Sequence, residues 1–283
     1  MYKVVRELRL EGSYYFHKTP LPELDYSINP YFGCEFGCRY CYSMRYFKLR
    51  GIKYKWGEYV EAKIYLPRVL TKVLNRFEEG SVIGIGTYSD PYMPWEAKLR
   101  LTRRILEILS RRRDLRVSIQ TKSPLVLRDL DLLTNMNADV GFSISSLNPR
   151  YISYFEPYAP RPKSRFKAVE KLSKSLETWV FIAPIMPYIN DDESELDEIL
   201  KYSVKSHVDY VYSDVIRFRL GVRESIINVL KEYNPSLINY YRHLERPEIF
   251  KRYRLTVDYL RKRSKEYGLK YIDAAEMMWD YIK

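Results

Sequence analysis

The sequence predicts an α/β fold: an incomplete parallel barrel of about six strand–helix units, a partial (β/α)6 barrel, followed by a basic, helical C-terminal extension. Three observations predict it. Short apolar runs alternate with amphipathic stretches from residue 25 to about residue 216, the pattern of parallel strands covered by helices. These runs end in polar residues, where parallel α/β folds place their chemistry. The length of 283 residues suits one large domain with fewer units than the eight of a full barrel.

Residues 1–24 read as a polar, strand-like arm that ends at Pro20-Leu-Pro22 and covers the barrel rather than joining it. The core spans residues 25–220. Its first strand is 25–29, followed by a cysteine loop, a helix over 39–49, a short strand at 62–65 and a helix over 67–77 started by Pro67. Residues 81–87 are apolar with glycines and read as a buried strand. A helix over 95–113 has Leu99, Ile105, Leu106 and Leu109 on one side and arginines elsewhere. Strand 115–121, helix 125–133 and strand 138–145 follow. Pro157, Pro160 and Pro162 make 156–162 a loop. Helix 165–176, strand 178–184, helix 193–205 with Asp191 or Asp192 as N-cap, and strand 208–216 complete six units. Residues 221–283 change to helices rich in Arg, Lys and Tyr, including 247–267, before a short strand at 269–272 and a helix over 273–282. No repeat or flexible linker marks a second domain.

All three cysteines fall in Asn29-Pro-Tyr-Phe-Gly-Cys34-Glu-Phe-Gly-Cys38-Arg-Tyr-Cys41-Tyr42. A tight loop with C-x-x-x-C-x-x-C spacing lets each thiolate reach a different iron of a cubane cluster and leaves the fourth iron open to a small chelator. Gly33 and Gly37, each directly before a cysteine, allow the backbone to approach the cluster closely. A structural zinc site needs a fourth ligand, and His17, His207 and His243 all lie far from the loop in sequence. A disulfide leaves one cysteine over and needs an oxidising compartment, for which no targeting signal is present.

With Tyr40 as the aromatic between its last two cysteines, this loop resembles that of the radical S-adenosylmethionine (SAM) superfamily. Further stretches in order are Thr87-Tyr-Ser-Asp-Pro-Tyr92, Gln120-Thr-Lys-Ser123, Arg128-Asp129, Gly141-Phe-Ser-Ile-Ser145, Phe155-Glu-Pro157 and Ala183-Pro-Ile185. Together they resemble the spore photoproduct lyase-like branch from about residue 25 to about residue 190. The resemblance implies a partial barrel of the radical SAM type, a [4Fe-4S] cluster on Cys34, Cys38 and Cys41, and SAM on the open iron. An external electron donor then drives SAM cleavage to methionine and a 5′-deoxyadenosyl radical. It also implies that Tyr40 lies near the adenine, that Ser143 contacts the cofactor and that Ala183 offers backbone groups to the nucleoside. Ser89 and Asp90, at a strand end, are placed to bond the methionyl ammonium, although Asp90 reads equally well as an N-cap. Lys122 follows an apolar strand and puts one positive charge at the barrel mouth, which is costly unless an anion meets it. The SAM carboxylate is such an anion. Ser143 and Ser145 share one strand face by period-two alternation. Tyr40 and Tyr42 match tyrosines of the lyase radical relay, which makes Tyr42 the catalytic candidate. The lyases carry a hydrogen-donating cysteine three residues before the Asp matched by Asp90. Here that position is Thr87, which cannot donate a hydrogen atom as a thiol does, so repair of a DNA photoproduct is not expected.

Lys and Arg outnumber Asp and Glu by 48 to 36, and Tyr occurs 28 times, a surface suited to phosphate contacts and base stacking. Residues 242–270 interleave ten Lys and Arg residues with Tyr253, Tyr259 and Tyr267; the alternative is a solvated helix face. No run approaches the roughly 20 apolar residues of a membrane span, and a reducing, cytoplasmic location is expected. The expected function is a radical SAM enzyme acting on a nucleic acid or nucleotide. The alternatives are the same chemistry on a small molecule or peptide, and a non-catalytic cluster protein that binds nucleic acid. Without a second set of cysteines, no auxiliary cluster is expected.

Overall fold

The structure, a computed structural model, describes residues 4–7 and 16–277. The middle of the N-terminal arm and the last turns of the expected C-terminal helix lie outside the described residues. The strands are β1 (Val4–Glu7), β2 (Phe16–Lys18), β3 (Tyr26–Ile28), β4 (Tyr31–Phe32), β5 (Tyr59–Ala62), β6 (Val82–Ile85), β7 (Arg116–Thr121), β8 (Asn137–Ser143), β9 (Glu177–Ile185), β10 (Tyr210–Val215) and β11 (Lys270–Asp273). The main sheet runs β2-β3-β6-β7-β8-β9-β10-β11. Strands β3 and β6 to β11 are mutually parallel, and β2 lies antiparallel on the β3 edge. From β6 onward each strand sits beside its predecessor, the winding of a barrel rather than of a doubly wound sheet. With β2 and β11 at opposite edges, the barrel stays open.

Three features differ from the sequence expectation. The last strand, β11, pairs with β10 and adds a seventh parallel strand to the six expected. Part of the arm, β2, joins the sheet instead of only covering it. The short strand near residue 62 belongs to a separate three-stranded sheet, β1-β5-β4. There it supports the cysteine loop by pairing with Tyr31 and Phe32.

The helices are α1 (Met44–Leu49), α2 (Leu66–Val73), α3 (Glu96–Leu99), α4 (Leu101–Leu109), α5 (Leu130–Leu133), α6 (Pro149–Phe155), α7 (Pro162–Leu172), α8 (Glu193–Lys205), α9 (Val222–Tyr233), α10 (Ile238–His243), α11 (Arg246–Glu266) and α12 (Ala274–Met277). The single helix expected over 95–113 is two, because Arg100 adopts a left-handed φ of 51° between α3 and α4. Residues 124–129 form a 3-10 turn before α5. Helix α6 starts where no helix was expected, with Asn148 capping the N–H groups of Arg150 and Tyr151 and Pro149 in the first turn. Asp192 is the N-cap of α8. No helix among the described residues is long and apolar enough to cross a membrane.

Period-two alternation gives the sheet two different faces. Val117, Ile119, Val140, Phe142, Val180, Ile182 and Val211 are fully buried on the helix-covered face, each worth about 1.5–3 kcal/mol of apolar burial for residues of this size. The opposite, concave face carries Ser118, Gln120, Gly141, Ser143, Trp179, Phe181, Tyr210 and Tyr212. Its N-terminal end is closed by Arg116, which bonds Asp139 at 3.0 Å and Glu177 at 2.8 Å. The Trp179 indole also donates to Asp139 at 2.7 Å. Gly141 is required here, since a Cβ would stand 2.2 Å from the Trp179 ring.

Candidate active site

The cysteine loop follows β4 and is fixed from several sides. The Tyr31 hydroxyl donates to Glu96 at 2.5 Å, the Trp95 N–H donates to Glu35 at 2.8 Å, and the Arg39 N–H donates to the Phe155 carbonyl at 2.9 Å. Gly33 and Gly37 have positive φ of 81° and 58°. Their freedom permits close packing against protein. A Cβ on Gly33 would lie 2.3 Å from the Tyr59 carbonyl oxygen, and one on Gly37 would meet Gly57 and Tyr158.

Cys34 and Cys38 are buried and Cys41 is half-buried. Burial pushes all three thiols up, Cys38 to about 12. The positive charge of Lys122 pulls Cys38 and Cys41 back down. At Cys34 the negative Asp90 adds to the rise. Among the described residues no three Cys, His, Asp or Glu side chains close on a single ion. A cubane seats each thiolate on a different iron and has no need of such convergence. Three mutually interacting thiols beside a cation fit that donor set.

The other expected site residues gather around the same loop. Lys122 follows β7 and holds its ammonium 5.8 Å from the centre of the Tyr40 ring, a cation–π arrangement. It makes no ion pair among the described residues. Ser143, at the end of β8, accepts from Gln120 at 3.0 Å. Ala183 lies near the end of β9 and is buried. Ser89 donates to the Tyr31 carbonyl at 2.9 Å. Asp90 is no N-cap: its carboxylate accepts from the Thr121 hydroxyl at 2.7 Å, the Tyr92 N–H at 2.9 Å and the Lys122 N–H at 2.6 Å. It thereby ties the β6 loop to the end of β7. Burial raises its pKa, and those three hydrogen bonds oppose the rise. Tyr42 is 43% exposed, and its hydroxyl donates to the Thr87 carbonyl. The Thr87 hydroxyl itself is held by Ser27 at 2.5 Å and by the Asn29 amide at 2.8 Å.

Sequence reasoning missed the group beneath Tyr40. Glu156 accepts from the Tyr40 hydroxyl and, at 2.6 Å, from Ser145. Its other oxygen pairs with Arg165, and both side chains are fully buried. Arg165 also donates to the Ser143 carbonyl at 2.8 Å and the Pro160 carbonyl at 2.7 Å. Burial alone pushes the Glu156 carboxyl up, but Arg165 and then Lys122 outweigh it and bring it down to about 2. Phe155-Glu-Pro157 was the available signal, but without a partner in sequence its role was not readable. Also missed was an aromatic wall on the concave face. Phe181 lies opposite Ser143 on one side and Tyr212 on the other, with Tyr212 5.4 Å from Trp179 and 5.2 Å from Tyr210 between ring centres. Phe181, Tyr210 and Tyr212 are only half-buried.

The Radical SAM superfamily profile matches residues 28–202, well over half of the chain. The chain belongs to the radical SAM superfamily. Known proteins are similar to it over most of its length. An uncharacterized protein of Methanocaldococcus jannaschii is 30% identical over 87% of this chain and 89% of its own. One from Acidianus two-tailed virus is 29% identical over 73% of this chain and 72% of its own. Among solved structures, a spore photoproduct lyase double mutant with bound SAM and dinucleoside spore photoproduct superposes with a TM-score of 0.72 at 18% identity, covering 95% of this chain and 81% of that one. A tyrosine variant of the same lyase gives 0.70 at 17% with the same coverage. At such identities the likeness is one of fold. This radical SAM protein thus has the partial-barrel α/β architecture that its sequence predicts, and it is an enzyme of the radical SAM type.

Proposed function

We propose that this radical SAM protein binds a [4Fe-4S] cluster on Cys34, Cys38 and Cys41, cleaves SAM with an electron from an external donor, and acts on a nucleic acid or nucleotide. One observation carries the cofactor reading: the ammonium of Lys122 lies over Tyr40, its charge acts on Cys38 and Cys41, and it makes no ion pair among the described residues. When bound, the cluster and SAM together supply a 5′-deoxyadenosyl radical. In this reading Lys122 holds the SAM carboxylate, Tyr40 and Ser143 border the nucleoside, and the backbone at Ala183 contacts it. Asp90 and Ser89 hold the β6 loop on which the methionyl ammonium rests. Tyr42, exposed at the rim and bonded to the Thr87 carbonyl, is the residue placed to meet a substrate.

The aromatic wall supports a planar substrate. Half-exposed Phe181 and Tyr212 offer ring surface, and Gln120 and Ser143 on the adjoining strands offer hydrogen bonds, the combination that receives a nucleobase. Thr87, with its hydroxyl bound to Ser27 and Asn29, supplies no thiol hydrogen, so the reading departs from photoproduct repair. A second reading, a small molecule or peptide as substrate, is favoured by the internal pairing of several C-terminal cations. Arg252 bonds Asp191, Arg261 meets Asp258 and Glu276, and Arg263 bonds Asp197 and Glu266.

Anaerobic reconstitution tests the cofactor part. The expected result is about four irons per chain and reductant-dependent release of 5′-deoxyadenosine from SAM. A stable, iron-free zinc protein, or a Cys38→Ala variant that still cleaves SAM, overturns it. Retention of tRNA and duplex DNA across a salt series separates the two substrate readings, since phosphate contacts impose a steep salt dependence.

A further inference from the structure

We propose that Arg165 sets the affinity for SAM without touching it, by holding the charge of Glu156 so that Lys122 remains free for the cofactor carboxylate. This rests on the reading that Lys122 is the carboxylate's partner. Glu156 is a fully buried carboxylate, and a buried charge demands a cation. Arg165 is paired with it directly, and the charge of Lys122 also acts on it. Both Arg165 and Lys122 pull its carboxyl down, Arg165 more strongly.

Geometry decides the competition. The Arg165 guanidinium is locked in place by Glu156 and by the carbonyls of Ser143 and Pro160. Each of its three nitrogens donates once, which fixes the plane of the fork. The second Glu156 oxygen accepts from the Tyr40 hydroxyl and Ser145, so both carboxylate oxygens are already engaged without Lys122. The ammonium is left over the Tyr40 ring, on a flexible stem able to reach either way. With Arg165 gone, Glu156 is left as an unpaired buried anion that attracts Lys122, in addition to the pull Asp90 already exerts, and the cofactor carboxylate must compete with it.

The test is a cycle on the reconstituted holoprotein, with SAM as ligand in equilibrium dialysis and iron per chain as control. Arg165→Gln retains donors toward the Ser143 and Pro160 carbonyls and removes the charge. Its Kd for SAM should rise about tenfold, the scale of one charge-assisted contact. The double variant Glu156→Gln/Arg165→Gln removes both charges, a replacement that buried pairs often tolerate. It should return the Kd to within about threefold of the parent. Arg165→Lys, which keeps a cation beside Glu156, should bind SAM more tightly than Arg165→Gln. In a Lys122→Ala background, Arg165→Gln should add no further loss. A purely structural pair predicts the opposite order, with the double variant at least as weak as the single, and that result overturns the proposal. So does an unchanged Kd in Arg165→Gln. Unchanged binding in Lys122→Ala alone instead removes the underlying reading of Lys122. If Arg165→Gln does not accumulate folded, Arg165→Lys and the double variant decide, since loss of tenfold or more in either contradicts the charge account.

Discussion

The Lys122 ammonium stands 5.8 Å from the centre of the Tyr40 ring, and this relationship joins the end of β7 to the cysteine loop. Lys122 is held there because its own N–H is bonded to Asp90 at 2.6 Å, which fixes the backbone from which the side chain extends. The ring supplies weak attraction but cannot neutralise the charge. Lys122→Ala is therefore expected to leave the iron content unchanged and to weaken SAM binding about tenfold or more, as for loss of a contact worth roughly 1.5–3 kcal/mol. Equilibrium dialysis of the reconstituted protein checks this, and unchanged affinity returns Lys122 to ordinary surface charge.

Tyr40→Phe separates the ring from the hydroxyl. The ring is retained, so SAM affinity should change less than threefold, within the scale of a single weak contact. The Glu156 oxygen, however, loses its Tyr40 donor and keeps only Ser145. A missing hydrogen bond to a buried charge costs about 1.5–3 kcal/mol. Urea unfolding should show that loss, whereas Tyr40→Leu should lower both stability and SAM affinity.

Much of this site was legible before the structure. Cys34, Cys38, Cys41, Lys122 and Ser143 lie at strand ends or in one loop, where local sequence alone marks the position. Glu156 was not legible, because its partners Tyr40, Ser145 and Arg165 come from separate segments. In sequence it is an acid among prolines and reads as exposed. Residues 177–185 alternate in period two, but alternation alone does not say which face is concave, so the role of Phe181 stayed hidden. The fold was read through its buried strands. It was misread at Arg100, whose left-handed backbone has no glycine to announce it; the short strand expected at 269–272 is present as β11, and only its place in the main sheet beside β10, after a 21-residue helix, was not legible.

Gly33→Ala tests how tightly the cysteine loop is packed. At φ 81°, with the Tyr59 carbonyl oxygen 2.3 Å from the added carbon, the substitution meets backbone that cannot rotate away. Strain of this kind costs about 1–3 kcal/mol, and the loop must shift to relieve it. The expected result is a lower unfolding midpoint together with fewer irons per chain after anaerobic reconstitution. Full iron loading at the parent midpoint contradicts it.

The last prediction concerns the basic helix α11 as a track for nucleic acid. Five of its cations fall into two sets. Arg252 and Arg263 hold Asp191 and Asp197, and Tyr253 is buried, bonded to Ser213 and Asp273; these build the fold. Lys251, Lys262 and Lys265 are exposed and fall on one stripe of the helix by their spacing. If phosphate binds there, changing these three to Glu should lower affinity for tRNA or duplex DNA. The salt dependence should also flatten, by up to about 0.9 in slope per lost phosphate contact on a duplex. SAM cleavage without substrate should stay at the parent level, because none of the three lies at the cysteine loop. Arg263→Glu should behave differently. It places a carboxylate against Asp197, so it should lower the unfolding midpoint at every salt concentration. Equal nucleic-acid binding by the parent and the triple variant at low salt, where such contacts are strongest, assigns the stripe to solvent and moves the substrate to a small molecule or peptide.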